Sequence, residues 1–169
     1  MDKVFKHLGD IERKAEKIDK ISSKGASSLG MKEMLKLSSK GQSISSCMKK
    51  TVKDYQNVTP TEAEAQKVIE IVTKITTLNE HQMKTVRDDK PAMEKMHVGG
   101  LVKKNMVKSE ETSKAFWATL TEKTPEGPLK EEIKALAARV QKAYTETYQL
   151  YANATGGEDQ DVDAVDDSD

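Results

Sequence analysis

Three histidines, one cysteine and a few paired carboxylates are the residues of this 169-residue chain that could carry catalysis or hold a metal. His7, His81 and His97 fall in different segments, and none has the HExxH or His-x-x-x-His spacing of a zinc site. His97, next to Gly99-Gly100, reads as a solvated histidine at a junction. Cys47 has Lys49 and Lys50 close in sequence, cations that would lower a thiol pKa if they faced it. Its place among helical apolar residues favours a buried, inert thiol. A single cysteine excludes an intramolecular disulfide and a thiolate cluster within one chain. Glu110-Glu111 and Glu131-Glu132 sit on faces expected to be solvated. Asp159, Asp161 and Asp163 alternate as in a calcium loop, but the glycine and the closing glutamate of an EF-hand are missing. No GxSxG, P-loop or GxGxxG occurs. This inventory argues against an enzyme and calls for no cofactor.

What remains is binding chemistry. Met31, Met34, Met48, Met83, Met93, Met96 and Met106 lie inside the chain, in or beside segments of helical periodicity. Only Phe5, Phe116, Trp117 and four tyrosines supply aromatic bulk. Methionine is unbranched and polarizable, so it fills irregular gaps and adapts to varied partners. Adaptable core packing explains such residues as well as a ligand cavity does.

Five helical segments must position these residues. Segment one runs from Asp2 to Ser22, with Val4, Leu8, Ile11, Ala15 and Ile18 on one face. A Ser/Gly-rich turn, Ser22–Gly30, follows. Segment two runs from Met31 to Tyr55 along Met34, Leu37, Gly41, Ile44, Met48, Thr51 and Tyr55. Gly41 and the serines around it weaken this helix, glycine costing about 1 kcal/mol against alanine. Gly41 is either a tolerated kink or surface glycine, or a point of close approach. Segment three opens at Thr59-Pro60-Thr61-Glu62, read as N-cap, first helical residue and capping box. It carries Val68, Val72, Ile75, Met83 and Val86 and ends near Asp89-Lys90, before Pro91.

Pro91–Gly100 reads as a junction, with Met93 and Met96 as a flexible entrance and Gly99-Gly100 as a break or bend. Segment four runs to Lys123. Its seam is Val98, Val102, Asn105, Ser109, Thr112, Phe116 and Leu120, apolar at the ends and polar in the middle. A buried polar group needs a partner. Either water, another helix or a ligand head group satisfies these residues, or the helix turns them to solvent and buries Leu101, Met106 and Ala115. After the turn Thr124–Pro128, segment five runs from Leu129 to Ala154 with Ile133, Leu136, Val140, Tyr144, Tyr148 and Tyr151 on one face. No strand signal competes. The expected fold is all-α, a mostly up-down five-helix bundle over residues 1–154 with a disordered acidic tail, 155–169.

Hydrophobic residues make up 36% and charged residues 33%, a composition suited to a small helical domain with solvated outer faces. The formal charge of zero hides a division: seven acids and no lysine or arginine lie in 155–169, leaving 28 basic against 21 acidic residues, net +7, in the body. Lysines alternate with glutamates there and no aromatics line a basic stripe, so nucleic-acid binding is not expected. No secretory signal is visible at Met1-Asp2-Lys3, and no apolar run is long enough to span a membrane. Two short sequons, at Asn57 and Asn153, favour secretion only slightly.

The order TPTEAEAQKVIEIVTKITTLNEH, a Met-rich junction, SEETSKAFWATLTEKTP and a closing helix AARVQKAYTETYQLYA resembles the fungal hydrophobic surface-binding protein A and cell-wall galactomannoprotein family. The clearest match is Phe116 and Leu120 followed by the Thr124-Pro125 turn and the closing helix; the resemblance covers roughly Val4 to Ala154 and is better in the second half. The resemblance implies a secreted or cell-wall, non-catalytic helical bundle. Such a protein binds hydrophobic surfaces, or holds fatty acids and other lipids in an apolar channel, and some members recruit hydrolases to hydrophobic substrates. The chain is richer in lysine than the family, and its aspartate-ended tail is not a glycosylphosphatidylinositol signal.

The resulting expectation is an acyl chain lying against Met34, Leu37, Met48, Val72, Ile75, Met106, Phe116 and Val140. Its head group would meet Asn105, Ser109, Thr112 and Tyr144, with a nearby lysine assisting. The alternative is a secreted protein-interaction module or effector with a fully packed interior, working through an outer helix face and the tail.

Overall fold

Helix α1 spans Asp2–Ser22 and α2 spans Met31–Tyr55, the bounds that the apolar spacing predicts. Between them the Ser/Gly stretch folds into one 3-10 turn at Ala26–Ser28. Helix α3 spans Glu62–Asp88. Its capping box lies two residues later than the spacing suggests. Thr61 is the N-cap, its N–H donates to Glu64 Oε2 at 2.8 Å, and Glu64 N–H donates back to Thr61 Oγ1 at 3.3 Å. Both registers satisfy T-x-x-E, and the observed one leaves Pro60 buried in the connection.

The junction is more ordered than expected. Residues Lys90–Lys95 form a short helix, α4, with Pro91 in its first turn, where a missing N–H costs nothing. Gly99 and Gly100 then open α5 (Gly99–Lys123) rather than breaking it. Helix α6 spans Pro128–Tyr151. The computed structural model describes residues 1–159, and among these six α-helices and no strand occur, an all-α bundle as expected.

The main packed pairs are α1–α2, α2–α5, α5–α6, α6–α3 and α3–α1, which close into a ring. Side-chain bonds set the directions. Glu12 meets Lys74 at 3.3 Å and Asp19 meets His81 at 2.5 Å, so α1 and α3 are parallel. Asn105 bonds Ser38 and Lys123 bonds the Gln56 carbonyl, both 67 residues apart, so α2 and α5 are parallel and in register. His7–Asp54 and Lys14–Ser43 make α1 and α2 antiparallel. Glu80–Arg139 and Arg87–Thr147 make α3 and α6 parallel, so α1, α3 and α6 run one way, and α2 and α5 the other. The chain alternates up and down, yet several ring neighbours are parallel.

Two apolar clusters fill the ring. The larger occupies the end where α1 starts, with Leu8, Ile11, Tyr55, Val72, Phe116, Trp117 and Ile133. Phe116 and Trp117 meet edge-to-face, centroids 5.6 Å apart. The smaller sits at the opposite end, with Leu29, Met34, Met93, Val98, Leu101 and Tyr151. Of the expected tail, residues 155–159 pack on the start of α5. Leu101 N–H donates to the Gly156 carbonyl at 2.9 Å, and Lys104 Nζ donates to the Glu158 carbonyl at 2.6 Å. Gly156 has φ +99°, and a Cβ there would strike the His97 carbonyl. The remainder, 160–169, lies outside the described residues.

Candidate functional site

The ring's interior is not filled throughout: a void remains beside the smaller cluster, whose Leu29, Met34, Met93, Val98 and Leu101 help to line it. The upper half of α2 carries Ser38, Gly41, Gln42 and Ser45 where a packed helix would carry large apolar groups, and α5 answers with Asn105, Ser109 and Thr112. A cavity of about 570 Å³ results, bounded by these helices, the C-terminal ends of α1 and α3, and Met93 of α4. Its lining runs from Met34 to Lys49 on α2 and from Val98 to Thr112 on α5. At about 1.5 Å per residue, each wall is roughly 20 Å long.

The lining changes character along that length. Leu29, Met34, Leu37, Met93, Leu101 and Met106 make one half mainly apolar, with Ser22, Gln82, Thr85 and Asp89 from the ends of α1 and α3 beside them, whereas Gln42, Ser45, Ser109 and Thr112 make the other polar. Asn105 Nδ2 donates to Ser38 Oγ at 2.8 Å near the change. Ser109 Oγ donates to the Met106 carbonyl at 3.0 Å, its own helix satisfying the hydroxyl. Exposed Ser46, Lys49 and Lys108 mark where the cavity meets solvent. At the apolar end the Asp89 carboxylate accepts the Ala26 N–H at 2.7 Å and holds the 3-10 turn in place.

Six of the residues expected to contact a ligand come together here: Met34, Leu37, Asn105, Met106, Ser109 and Thr112. The other six lie elsewhere. Val72, Ile75, Phe116 and Val140 belong to the larger packed cluster, and half-buried Met48 packs against it. Met48, Val72, Ile75 and Phe116 are on helices that also carry lining residues but sit further along the axis, in or against the cluster that Phe116 and Trp117 fill, whereas Val140 is on α6, which contributes nothing to the lining. Tyr144 stacks on Tyr148, centroids 5.9 Å apart, and its hydroxyl is buried near Glu110 but outside hydrogen-bond geometry. Burial, reinforced by the Glu110 charge, pushes its pKa up to about 12.

Both rotations of α5 hold in part: Leu101, Met106 and Thr112 are buried, Asn105 and Ser109 face the cavity, and Ala115 is exposed. Met93, expected at an entrance, is buried at the cavity's closed end. Ile18, Met83 and Val86 also line it. Their apolar periodicity was visible in the sequence, but not that α1 and α3 converge at this level.

The other chemistry-bearing residues are spread out. Burial pushes the Cys47 thiol pKa up. His97 is exposed at a positive-φ turn into α5. No group of three or more His, Cys, Asp or Glu among the described residues is placed to hold a metal.

Residues 1–122, from α1 to the last turn of α5, match the family model of hydrophobic surface binding protein A. The chain belongs to that family. Solved structures extend the likeness to the whole bundle. Ligand binding domain 2 of the Penicillium marneffei MP1 protein, in complex with arachidonic acids, is similar at TM-score 0.80 and 17% identity, covering 92% of this chain and 96% of that one. Afmp4p in complex with palmitic acid is similar at TM-score 0.79 and 13% identity, covering 88% and 97%. Domain 1 of MP1, complexed with arachidonic acids, is similar at TM-score 0.76 and 18% identity, covering 88% and 96%. At these identities the likeness establishes the fold that this hydrophobic surface binding protein A member shares. Comparison with curated proteins finds no match.

Proposed function

We propose that this protein binds a long-chain fatty acid or similar lipid, without catalysis, in the cavity between α2 and α5. The observation that carries the reading is a void of about 570 Å³ that is mainly apolar in one half and polar in the other. Its volume falls within the ~300–1,000 Å³ usual for small-molecule sites. Its walls are roughly 20 Å long. A bilayer's hydrocarbon core, two acyl layers deep, is about 30 Å thick, so one acyl chain fits nearly extended. Met34, Leu37 and Met106 would take the hydrocarbon, at about 0.8 kcal/mol per buried methylene. Asn105, Ser109 and Thr112 would take the head group. Family membership supports this, as do the fatty acids named with the similar structures.

Hydrophobic binding through an outer face has less support. The exposed large apolar residues among those described are Val107 and Leu150, too few for a docking patch. A fully packed interaction module does not account for the void. No helix among the described residues is long and apolar enough to cross a membrane. The same reading puts the protein outside the cell or at a fungal wall, where a bound or recruited hydrolase would meet hydrophobic substrate.

The test is native mass spectrometry of the purified chain, before and after delipidation and incubation with palmitic acid, beside displacement of a fluorescent fatty acid. A mass increase of one fatty acid, with displacement, is expected. No uptake in both assays would remove the proposal.

A further inference from the structure

The cavity's solvent mouth and its Met93 end carry opposite charge, Lys49 and Lys108 at the one and Asp89 at the other. We infer that the cavity selects ionised fatty acids over neutral esters and seats the carboxylate between Lys108 and Lys49, with the hydrocarbon directed toward Met93. This rests on the lipid-binding reading above but goes beyond it in charge class and direction.

The register of α2 and α5 supplies the geometry. The 67-residue offset of Asn105–Ser38 and Lys123–Gln56 places Lys108 level with Gly41 and Lys49 level with Phe116. The polar stretch of Gln42, Ser45, Ser109 and Thr112 therefore lies between the two lysines along the axis. Helical side chains lean toward the helix N-terminus, so Lys49 leans back over that stretch from the far end, while Lys108 leans toward the level of Asn105 and brackets it from the other side. Both lysines line the cavity and both are exposed at its mouth.

Neither ammonium has an ion pair or hydrogen bond among the described residues. That sets them apart from lysines such as Lys74, Lys114, Lys130 and Lys134, which pair with glutamates. At the opposite end stands the Asp89 carboxylate, already engaged with Ala26 N–H. A fatty acid entering head-first would set a second carboxylate against it in a partly buried setting. Like charges repel more strongly there than in water. The reverse sense places hydrocarbon against Met34, Met93 and Leu101, and a charged head beside two unneutralised cations.

The test is a competition. The delipidated full-length chain is incubated with equimolar palmitic acid and methyl palmitate, and the ratio of bound species is read by native mass spectrometry. The wild type is expected to favour the acid about tenfold, the effect of two partly solvated charge pairs. A Lys49→Met/Lys108→Met variant is expected to bind both at near-equal levels. Lys6→Met, an exposed lysine away from the cavity, should keep the wild-type ratio. An equal wild-type ratio, or an unchanged ratio in the double variant, overturns the inference and leaves lipid binding standing. Binding of neither compound overturns lipid binding and the inference with it.

Discussion

Asn105 on α5 reaches across the cavity rim to Ser38 on α2, its Nδ2 donating to the serine Oγ at 2.8 Å. Both residues line the void, so this bond ties together the two walls that a ligand would push apart. A neutral side-chain bond of this kind contributes about 1 kcal/mol net. Ser38→Ala and Asn105→Ala should each lower unfolding free energy by about that amount. The double variant should lose less than the sum, with a coupling near 1 kcal/mol in a double-mutant cycle from urea denaturation. Strict additivity would mean that the bond stabilises nothing.

Gly41 gives a second handle on the same wall. It lines the cavity, and a Cβ built there meets nothing within 4 Å. Glycine inside a helix costs about 1 kcal/mol against alanine. Gly41→Ala should therefore raise stability by roughly that amount while leaving fatty-acid uptake intact. Gly41→Phe should also fold, but its ring would occupy the void and cut palmitate binding at least tenfold in the displacement assay. Unimpaired binding by Gly41→Phe would show that the ligand lies elsewhere.

Helix faces were legible in the sequence, but levels along the axis were not. The Val4–Ile18 stripe and the Met34–Tyr55 stripe fix α1 and α2 to the residue, because apolar spacing reports burial directly. The polar break in the α5 seam at Asn105, Ser109 and Thr112 was visible for the same reason, and it does face the cavity. Which stripe faces which depends on the ring order α1–α2–α5–α6–α3, a tertiary property that no single segment encodes. That is why Val72 and Phe116, on the expected faces, pack in the larger cluster instead. The short α4 was missed because Pro91 both ends helices and starts them.

The division between packed core and cavity lining predicts opposite mutational phenotypes. Phe116 is fully buried against Trp117, and Phe116→Ala should cost about 3–5 kcal/mol of stability. Affinity per folded molecule should change little, because the residue does not line the void. Met106→Trp should do the reverse. Met106 is 6% exposed and lines the cavity, so the larger ring has space to enter it and should exclude palmitate at modest cost in stability. Thermal unfolding and calorimetric titration on the two variants separate these outcomes. Loss of affinity in Phe116→Ala below its unfolding temperature would place the acyl chain in the larger cluster.

Stability should also report the buried tyrosines at alkaline pH. Burial, aided by the Glu64 charge, pushes the Tyr55 hydroxyl up to about 12, and burial does the same for Tyr144. Burial raises Tyr151 as well, while its hydroxyl donates to the Val86 carbonyl at 2.8 Å. A raised folded-state pKa means that the native protein holds the proton more tightly than the unfolded chain. These groups therefore leave stability intact below pH about 10, the ordinary tyrosine value. Above it the unfolded chain ionises first and the native state loses ground until about pH 12. A shift of two units corresponds to about 2.7 kcal/mol for a fully buried group such as Tyr55, and to less for half-buried Tyr144. Urea midpoints should stay flat through neutral pH and fall steeply above about 10, with tyrosinate absorbance appearing together with unfolding. Tyr55→Phe should flatten part of that fall, and an alkaline profile identical to wild type would exclude Tyr55 as its source.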